Sequence, residues 1–508
     1  MFVRKKKNKS GVISIQIIDK SKSRYEVVKT IGSSRDELAV EKLVLQAQEE
    51  ISKLLRQSSI NFDVEREQVF IDTFFSGIEQ IRLAGPELVL GKLFDEIGFN
   101  AIKDELFRHL VLTRLVYPVS KLKTVDYLLR HRGVQLDIDK IYRYLDKLNA
   151  EQKRQVQDIS YRHTLKILGD RLAIVFYDVT TLYFEIADED DLRKTGFSKD
   201  GKHRHPQIIL GLLVSAGGYP LAYDIFEGNK FEGHTMLPVV EAFKKKYKLK
   251  QLVIIADAGL LSGDNVQQLQ SKGYEYILGA RIKNETEAVK KQILALQLND
   301  GKCSELTRDD HTKLIINYSE ARAKKDAATR KRGLQKLEKA VASGKLTKSS
   351  INHRGYNKYL RMKGEVTVAI DYDRYKADAK WDGIKGYLTN TSLTKDEVIE
   401  NYRQLWHIEK AFRISKTDLR IRPIYHHLKR RIEAHICIAF CAYKIYKELD
   451  RQLQEKKIEM SPEKAIDVLK TIFEITLITP YSHSKIARLF LNHPDQKLLL
   501  DEFGCPGA

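Results

Sequence analysis

Three carboxylates in this chain stand where a metal and a phosphate could be handled. Asp178 closes the apolar run Leu172-Ala-Ile-Val-Phe-Tyr, and Asp257 closes Leu252-Val-Ile-Ile-Ala. Both runs read as strands of a sheet buried on both faces, where an acid inside the strand would carry a large desolvation cost. At the strand end, each acid can project into a cleft beside its counterpart. Two aspartates held close together repel, and a divalent cation resolves the conflict. Hard oxygen ligands select Mg2+ or Mn2+. The third acid, Glu409, lies in Asn401-Tyr-Arg-Gln-Leu-Trp-His-Ile-Glu-Lys-Ala-Phe-Arg-Ile-Ser-Lys416, which reads as one helix. Tyr402, Glu409 and Lys416 are seven residues apart there, so they share a face. Glu409 would complete sites for two ions about 4 Å apart. Such a pair activates water or a 3′-hydroxyl and stabilises the leaving oxygen of an in-line phosphoryl displacement.

Each acid taken alone has a plainer reading. Asp at a strand end is often a turn residue or a helix cap, and Glu409 could pair with Arg413 one turn on. Their joint occurrence on suitable elements favours a shared site. Beside Asp178, Thr180 and Thr181 add hydroxyls, and Glu185 ranks as a weaker ligand candidate. The loop Lys199-Asp-Gly-Lys-His-Arg-His205 carries His203 and His205, which read as contacts to a DNA backbone or as a solvated loop, since nothing at zinc spacing accompanies them.

The elements that must hold these residues follow from periodicity. Residues 1–60 read as a β-hairpin and a helix, and 61–168 as a helical DNA-binding domain with i, i+3, i+4 apolar spacing. Runs ending at Asp178 and Asp257, with strands at Gln207–Ser215, Tyr219–Phe226 and Tyr274–Ala280, give an α/β, ribonuclease-H-like order. Gly217-Gly218 marks a hairpin turn inside it. That catalytic core takes 169–280 and 386–440. Residues 281–385 form a basic, partly β insertion, and 441–508 a C-terminal helical region, so helical regions flank the core on both sides. Thr394 and Glu397 make a capping box for the helix that carries Tyr402.

Composition agrees with a nucleic-acid partner. The 508 residues are 43% hydrophobic, enough for packed cores, and carry a net charge of +20. That excess favours a polyanion. No apolar run reaches the roughly 18 residues of a membrane span, and the basic start is not followed by an apolar stretch, so neither a membrane partner nor a signal peptide is expected. Of four cysteines, Cys437 and Cys441 sit one helical turn apart in an apolar segment and read as core residues, which points to a reducing, cytoplasmic setting.

At Tyr177-Asp178-Val-Thr-Thr, at Ile255-Ala-Asp257-Ala-Gly-Leu and at the Tyr402, Glu409, Lys416 spacing, the chain resembles the DDE transposases of bacterial insertion sequences. Within them it is similar to the group with a β-rich insert before the catalytic Glu. That group's signature runs Tyr, two residues, Arg, three residues, Glu, six residues, Lys. Leu405 stands here at the Arg position, and Arg403 or Arg413 are candidates to supply the charge. The resemblance spans roughly residues 170–440. It implies a bacterial, nucleoid-associated enzyme that binds double-stranded DNA, both the terminal inverted repeats of its element and target DNA. It also implies a homodimer on paired ends, two Mg2+ or Mn2+ ions on Asp178, Asp257 and Glu409, and phosphates gripped by Tyr402 and Lys416. Trp381 or Trp406 are candidates to stack on a displaced base. A ribonuclease-H-like nuclease without strand joining, and a repurposed transposase that only binds DNA, are the alternatives.

Overall fold

The computed structural model of the chain describes all residues except 21–23, 55–61, 149, 186–187, 199–200, 203, 261, 310, 345, 347–350, 352–354, 364–366, 481 and 506–508. The chain folds into two compact units, one of residues 1–81 with 475–487, the other of residues 82–474 with 488–508.

In the first unit, β1 (Phe2–Lys7), β2 (Ile13–Asp19) and β3 (Glu26–Ser34) form an antiparallel sheet in that order. The expected hairpin thus has a third strand, the lysine-rich start of the chain, whose charges suit an edge position. Ile15 and Ile17 of β2 pack against Val40 and Ala47 of α1 (Glu37–Leu54). After α2 (Phe62–Ser76) comes β4 (Ile78–Leu83), a strand in a region expected to be helical throughout.

The second unit opens with α3 (Lys92–Ile97), α4 (Glu105–Val116), α5 (Lys121–Arg132), α6 (Ile138–Lys147) and α7 (Ala150–Ile167). Asp104, Ser120 and Asp137 cap α4, α5 and α6 through their side chains. Then follow β5 (Ile174–Tyr183), β6 (Gln207–Ser215), β7 (Pro220–Glu227), α8 (Met236–Tyr247), β8 (Val253–Ala256), α9 (Gly263–Ser271) and β9 (Glu275–Ala280). The next segment holds α10 (Glu287–Ala295), β10 (Cys303–Asp309), β11 (Thr312–Tyr318), α11 (Glu320–Ala342), β12 (Leu360–Lys363), β13 (Thr367–Ile370), α12 (Tyr372–Ala379) and β14 (Ile384–Thr389). The chain ends with α13 (Lys395–Arg403), α14 (Trp406–Thr417), α15 (Lys429–Glu455), α16 (Pro462–Leu469), β15 (Phe473–Ile478), β16 (Lys485–Phe490) and α17 (Pro494–Glu502).

Eight strands form the central sheet in the order β10-β11-β14-β9-β8-β5-β6-β7. β5, β8 and β9 are parallel, and β6 and β7 fold back antiparallel through Gly217 and Gly218, whose φ values of 79° and 82° only glycine adopts at little cost. This is the expected ribonuclease-H-like α/β arrangement. The segment 281–385 is not a free-standing insert. β10, β11 and β14 extend the central sheet beyond β9, while α11, β12 and β13 gather a small core of their own around Leu337, Tyr359 and Leu360.

Side chains of the sheet sort by parity, as a pleat requires. Val175, Tyr177 and Val179 of β5, with Ile254 and Ala256 of β8, join the core under α8 and α9. Phe176 and Leu182 of β5, with Ile255 of β8, join the opposite core with Ile408, Ile414 and the buried run of α15. Cys437 and Cys441 lie fully buried in that second core.

The C-terminal region departs from the all-helical expectation. β15 and β16 join β4 in a three-stranded sheet, order β16-β15-β4. The sequence Phe-Glu-Ile-Thr-Leu-Ile is rich in β-branched residues, and Pro480 after it bars helix continuation. No helix among the described residues is long and apolar enough to cross a membrane.

Candidate active site

The two aspartates are neighbours across a parallel ladder. Tyr177 pairs with Ala256 in the β5–β8 register, so Asp178 and Asp257 are the next residues along each chain. Both share the parity of Phe176 and Ile255, and so face the layer that contains α14 and α15. Asp178 is not at the end of its strand, as its apolar run suggested. β5 runs on to Tyr183, paired throughout with β6. It is β8 that stops, at Ala256, and its end leaves one edge of β5 open beyond Tyr177. The desolvation conflict is therefore relieved by the neighbour's termination, at the carboxyl ends of parallel strands where α/β sheets form ligand crevices.

Asp257 is exposed but braced. Its Oδ1 accepts from the Ala258 amide at 2.7 Å and from the Tyr402 hydroxyl at 3.3 Å. The turn after it is held from three sides. Its carbonyl accepts from the Leu260 amide at 3.0 Å. Arg281 donates to the carbonyls of Ala258 and Gly259 at 2.9 and 3.2 Å. Buried Asn265 bridges the carbonyls of Leu260 and Gly233 at 2.7 and 2.8 Å. Gly279 on β9 leaves room for the pair, since a Cβ there would stand 2.5 Å from the Tyr402 hydroxyl and 2.9 Å from the Ala258 nitrogen.

Tyr402 and Glu409 do not share one unbroken helix. The capping box of Thr394 and Glu397 starts α13 as expected, but α13 ends at Arg403 and α14 begins at Trp406. Between them the chain tightens, with Leu405 N–H bonding to the Tyr402 carbonyl and Ile408 N–H to the Leu405 carbonyl, three residues back each time. The reason lies in packing: Leu405 is 6% exposed and drops into the core. Glu409 stands exposed in the first turn of α14, where the helix dipole favours an anion. Lys416 is half-buried in its last turn, and Arg413 is exposed.

A residue that spacing did not flag joins them. Lys385, at the start of β14, sets its ammonium 4.3 Å from the centre of the Tyr402 ring. The ring of Tyr402 also meets Tyr387 edge-on at 4.8 Å. Burial and the neighbouring Arg322 push the Lys385 pKa down, while Asp257 and Glu409 pull it back up. Burial, then Asp257, pushes the Tyr402 phenol far above its ordinary range, so it stands as a proton donor. Lys385 belongs to another part of the chain, and only the pairing of β14 with β9 brings it here.

The remaining candidates are more dispersed. Arg403 is exposed and pairs with Glu400 at 3.4 Å. His205 bonds through Nδ1 with the Phe184 carbonyl at 3.1 Å, and His203 lies outside the described residues. Trp406 is 51% exposed at the head of α14, with the His407 ring 3.9 Å away, whereas Trp381 packs into a small core beside β11. Among the described residues no three His, Cys, Asp or Glu side chains converge tightly enough to form a ready-made metal cage. Asp178 and Asp257 on neighbouring strands and Glu409 in the first turn of α14 all carry hard oxygen donors.

The family described as Transposase DDE domain matches residues 172–445, which include all three carboxylates and Lys385. No curated relative matches the chain. Among solved structures, the cryo-EM structure of the piggyBac transposase synaptic complex with hairpin DNA is similar at 10% identity, with a TM-score of 0.38 and 76% of each chain covered. With more than half of its residues inside that family's match, the chain belongs to the DDE transposases.

Proposed function

We propose that this transposase binds the terminal inverted repeats of an insertion sequence, cleaves a strand to expose a 3′-hydroxyl, and joins that end to target DNA. One observation carries the reading: Asp178 and Asp257 stand side by side at an open strand edge, facing the layer from which α14 presents Glu409. Asp178, Asp257 and Glu409 would hold two Mg2+ or Mn2+ ions. When bound, these supply Lewis acidity to the scissile phosphate and its attacking oxygen. The chain's own residues do the rest. Tyr402 keeps Asp257 aimed into the cleft and retains its proton. Lys385 and Lys416 offset the phosphate's charge, and Lys385 is held in place over an aromatic ring. Exposed Arg413 and Arg403, with His205 and His203, would meet the DNA flank. A homodimer on paired ends, acting in the cytoplasm, completes the proposal.

The test is cleavage of a DNA fragment bearing the element's own end, with Mg2+, by the intact protein and by Asp257→Ala. End-specific cutting, lost in the variant while binding persists, is the expected result. Equal cutting by both proteins would sink the three-carboxylate assignment. Cutting without any strand joining would favour a nuclease.

A further inference from the structure

A second cationic feature lies apart from the carboxylates. A cavity of about 530 Å3 is enclosed by the end of α4, the start of α5, Tyr142 of α6, the loop from Arg420 to His426, and His435 of α15. Its volume falls within the roughly 300–1,000 Å3 of small-ligand sites. Arg114 and Lys121 line it, and each is only 6% exposed. Among the described residues the guanidinium of Arg114 reaches one acceptor, the Leu419 carbonyl, at 3.5 Å. The Lys121 ammonium meets no hydrogen-bond acceptor or carboxylate among the described residues, and no residue lining the cavity is Asp or Glu. His435 spends Nε2 on the Ile421 carbonyl at 3.0 Å, and its Nδ1 is buried without a partner. Asp146, an acid on α6 next to this region, is already taken by Arg430 and Arg431, both at 2.7 Å.

Burying unpaired like charges side by side is costly. Burial pulls Arg114 down to about 10, and burial with Arg114 alongside pulls Lys121 far below its ordinary value. Burial and the same two cations also lower His426 to about 4. Every cause here disfavours positive charge except the arrival of an anion. The donors of Lys121 and Arg114, buried and short of acceptors, point to a ligand that brings acceptor oxygens and a negative charge. The rim adds Arg420, Arg422, Lys123 and the capped N-terminus of α5.

We infer that this cavity is a phosphate-binding site that takes the phosphate of a terminal or unpaired nucleotide of the DNA. The assignment to DNA rests on the reading of the chain as a DNA transposase. The phosphates of an intact duplex touch surface cations, but they cannot sink onto the buried floor formed by Arg114 and Lys121. A strand end can. The cavity also adjoins the path of β5: Arg422 stacks 5.8 Å from the ring of Tyr183, five residues along that strand from Asp178. That separation is roughly 16 Å of extended strand.

The test uses the full chain without added divalent metal, so it does not depend on the carboxylate assignment. Thermal unfolding is followed in sodium phosphate and in sodium chloride of equal ionic strength, for the intact protein and for Lys121→Met. Phosphate should raise the intact protein's Tm by several degrees. The variant should unfold at a higher temperature than the intact protein in chloride and show no response to phosphate. A DNA end carrying a 5′-phosphate should bind the intact protein about tenfold more tightly than the same end with a 5′-hydroxyl, and the variant should not distinguish them. Arg420→Gln, an exposed change at the rim, should lose part of both effects and serves if Lys121→Met does not fold. Equal responses of the intact protein and the variants to phosphate overturn the site. A response to inorganic phosphate with no preference for the phosphorylated end overturns its assignment to DNA.

Discussion

At the scale of single residues, the site is held by one phenol and one missing side chain. Tyr402 is tied to Asp257, and Gly279 makes the space that the tie needs. Tyr402→Phe keeps the buried ring and removes the hydrogen bond. Losing such an orienting partner typically costs about 10- to 100-fold in activity, so cleavage should fall by that much while the melting temperature moves little. Unchanged cleavage would mean that Asp257 needs no bracing. Gly279→Ala should act on fold and site together, since its Cβ meets both the Tyr402 hydroxyl and the Ala258 backbone. A stability loss of about 1–3 kcal/mol is expected from overpacking. Adding Tyr402→Phe removes only the first collision, and the double variant should recover part of that loss in denaturant titration. Lys385→Met should lower cleavage without lowering stability, because a half-buried cation beside Arg322 is not held there by folding energetics alone. That Asp178 and Asp257 would lie on strands of one sheet was legible because each closes an apolar run. Lys385 and Arg322 were not legible. They reach the site from β14 and α11, and no local pattern encodes which strands a sheet will place side by side.

At the scale of elements, period and punctuation predicted most of the helices and the catalytic strands, and the misses have physical causes. The seven-residue spacing of Tyr402, Glu409 and Lys416 suggested one helix, but the core's claim on Leu405 tightens the chain into two. β15 and β16 were hidden among helices because their partner, β4, lies almost four hundred residues away in the chain. The long helix α15 carries a feature that periodicity cannot price. Lys444 is fully buried, donating to the Ser160 carbonyl at 3.2 Å and to Thr164 Oγ1 at 2.5 Å, with its ammonium 4.6 Å from the Tyr219 ring. Burial lowers its pKa to about 7 against an ordinary 10.5. Between those values the unfolded chain binds the proton and the folded chain does not, so stability rises with pH across this window. Below about 7 both states are charged and the penalty is present in full; above about 10.5 both are neutral and it vanishes. A shift of that size corresponds to about 5 kcal/mol. Lys444→Met should therefore flatten the rise in unfolding free energy between pH 7 and 10 that the intact protein shows. An unchanged slope in the variant would assign the pH dependence to other groups.

At the scale of the whole molecule, the charge balance acts before any single contact does. An excess of 20 positive charges sets a long-range attraction to any polyanion, which no sequence motif specifies. Part of it is concentrated on α11, where eight Lys and Arg face three acids along 23 residues and most side chains are exposed. The basic character of this segment was legible. Its position beside the site was not, because that depends on β11 and β14 joining the main sheet. Arg322 at the start of α11 lies close enough to Lys385 to affect its charge, so the helix leads away from the carboxylates as a cationic surface. If α11 tracks the phosphate backbone, each neutralised phosphate releases counterions and the affinity falls with salt at about 0.9 per contact on a log–log plot. Six to ten contacts would lose about 10³- to 10⁵-fold between 50 and 200 mM salt. The triple change of Lys325, Lys331 and Arg332 to Gln removes three exposed charges without touching the core. It should flatten the salt slope by about 2 to 3 and weaken specific and random DNA alike. Metal-free binding titrations over a range of salt read this directly. A parallel slope for the triple variant would show that α11 faces away from the DNA and that the backbone is gripped elsewhere on the molecule.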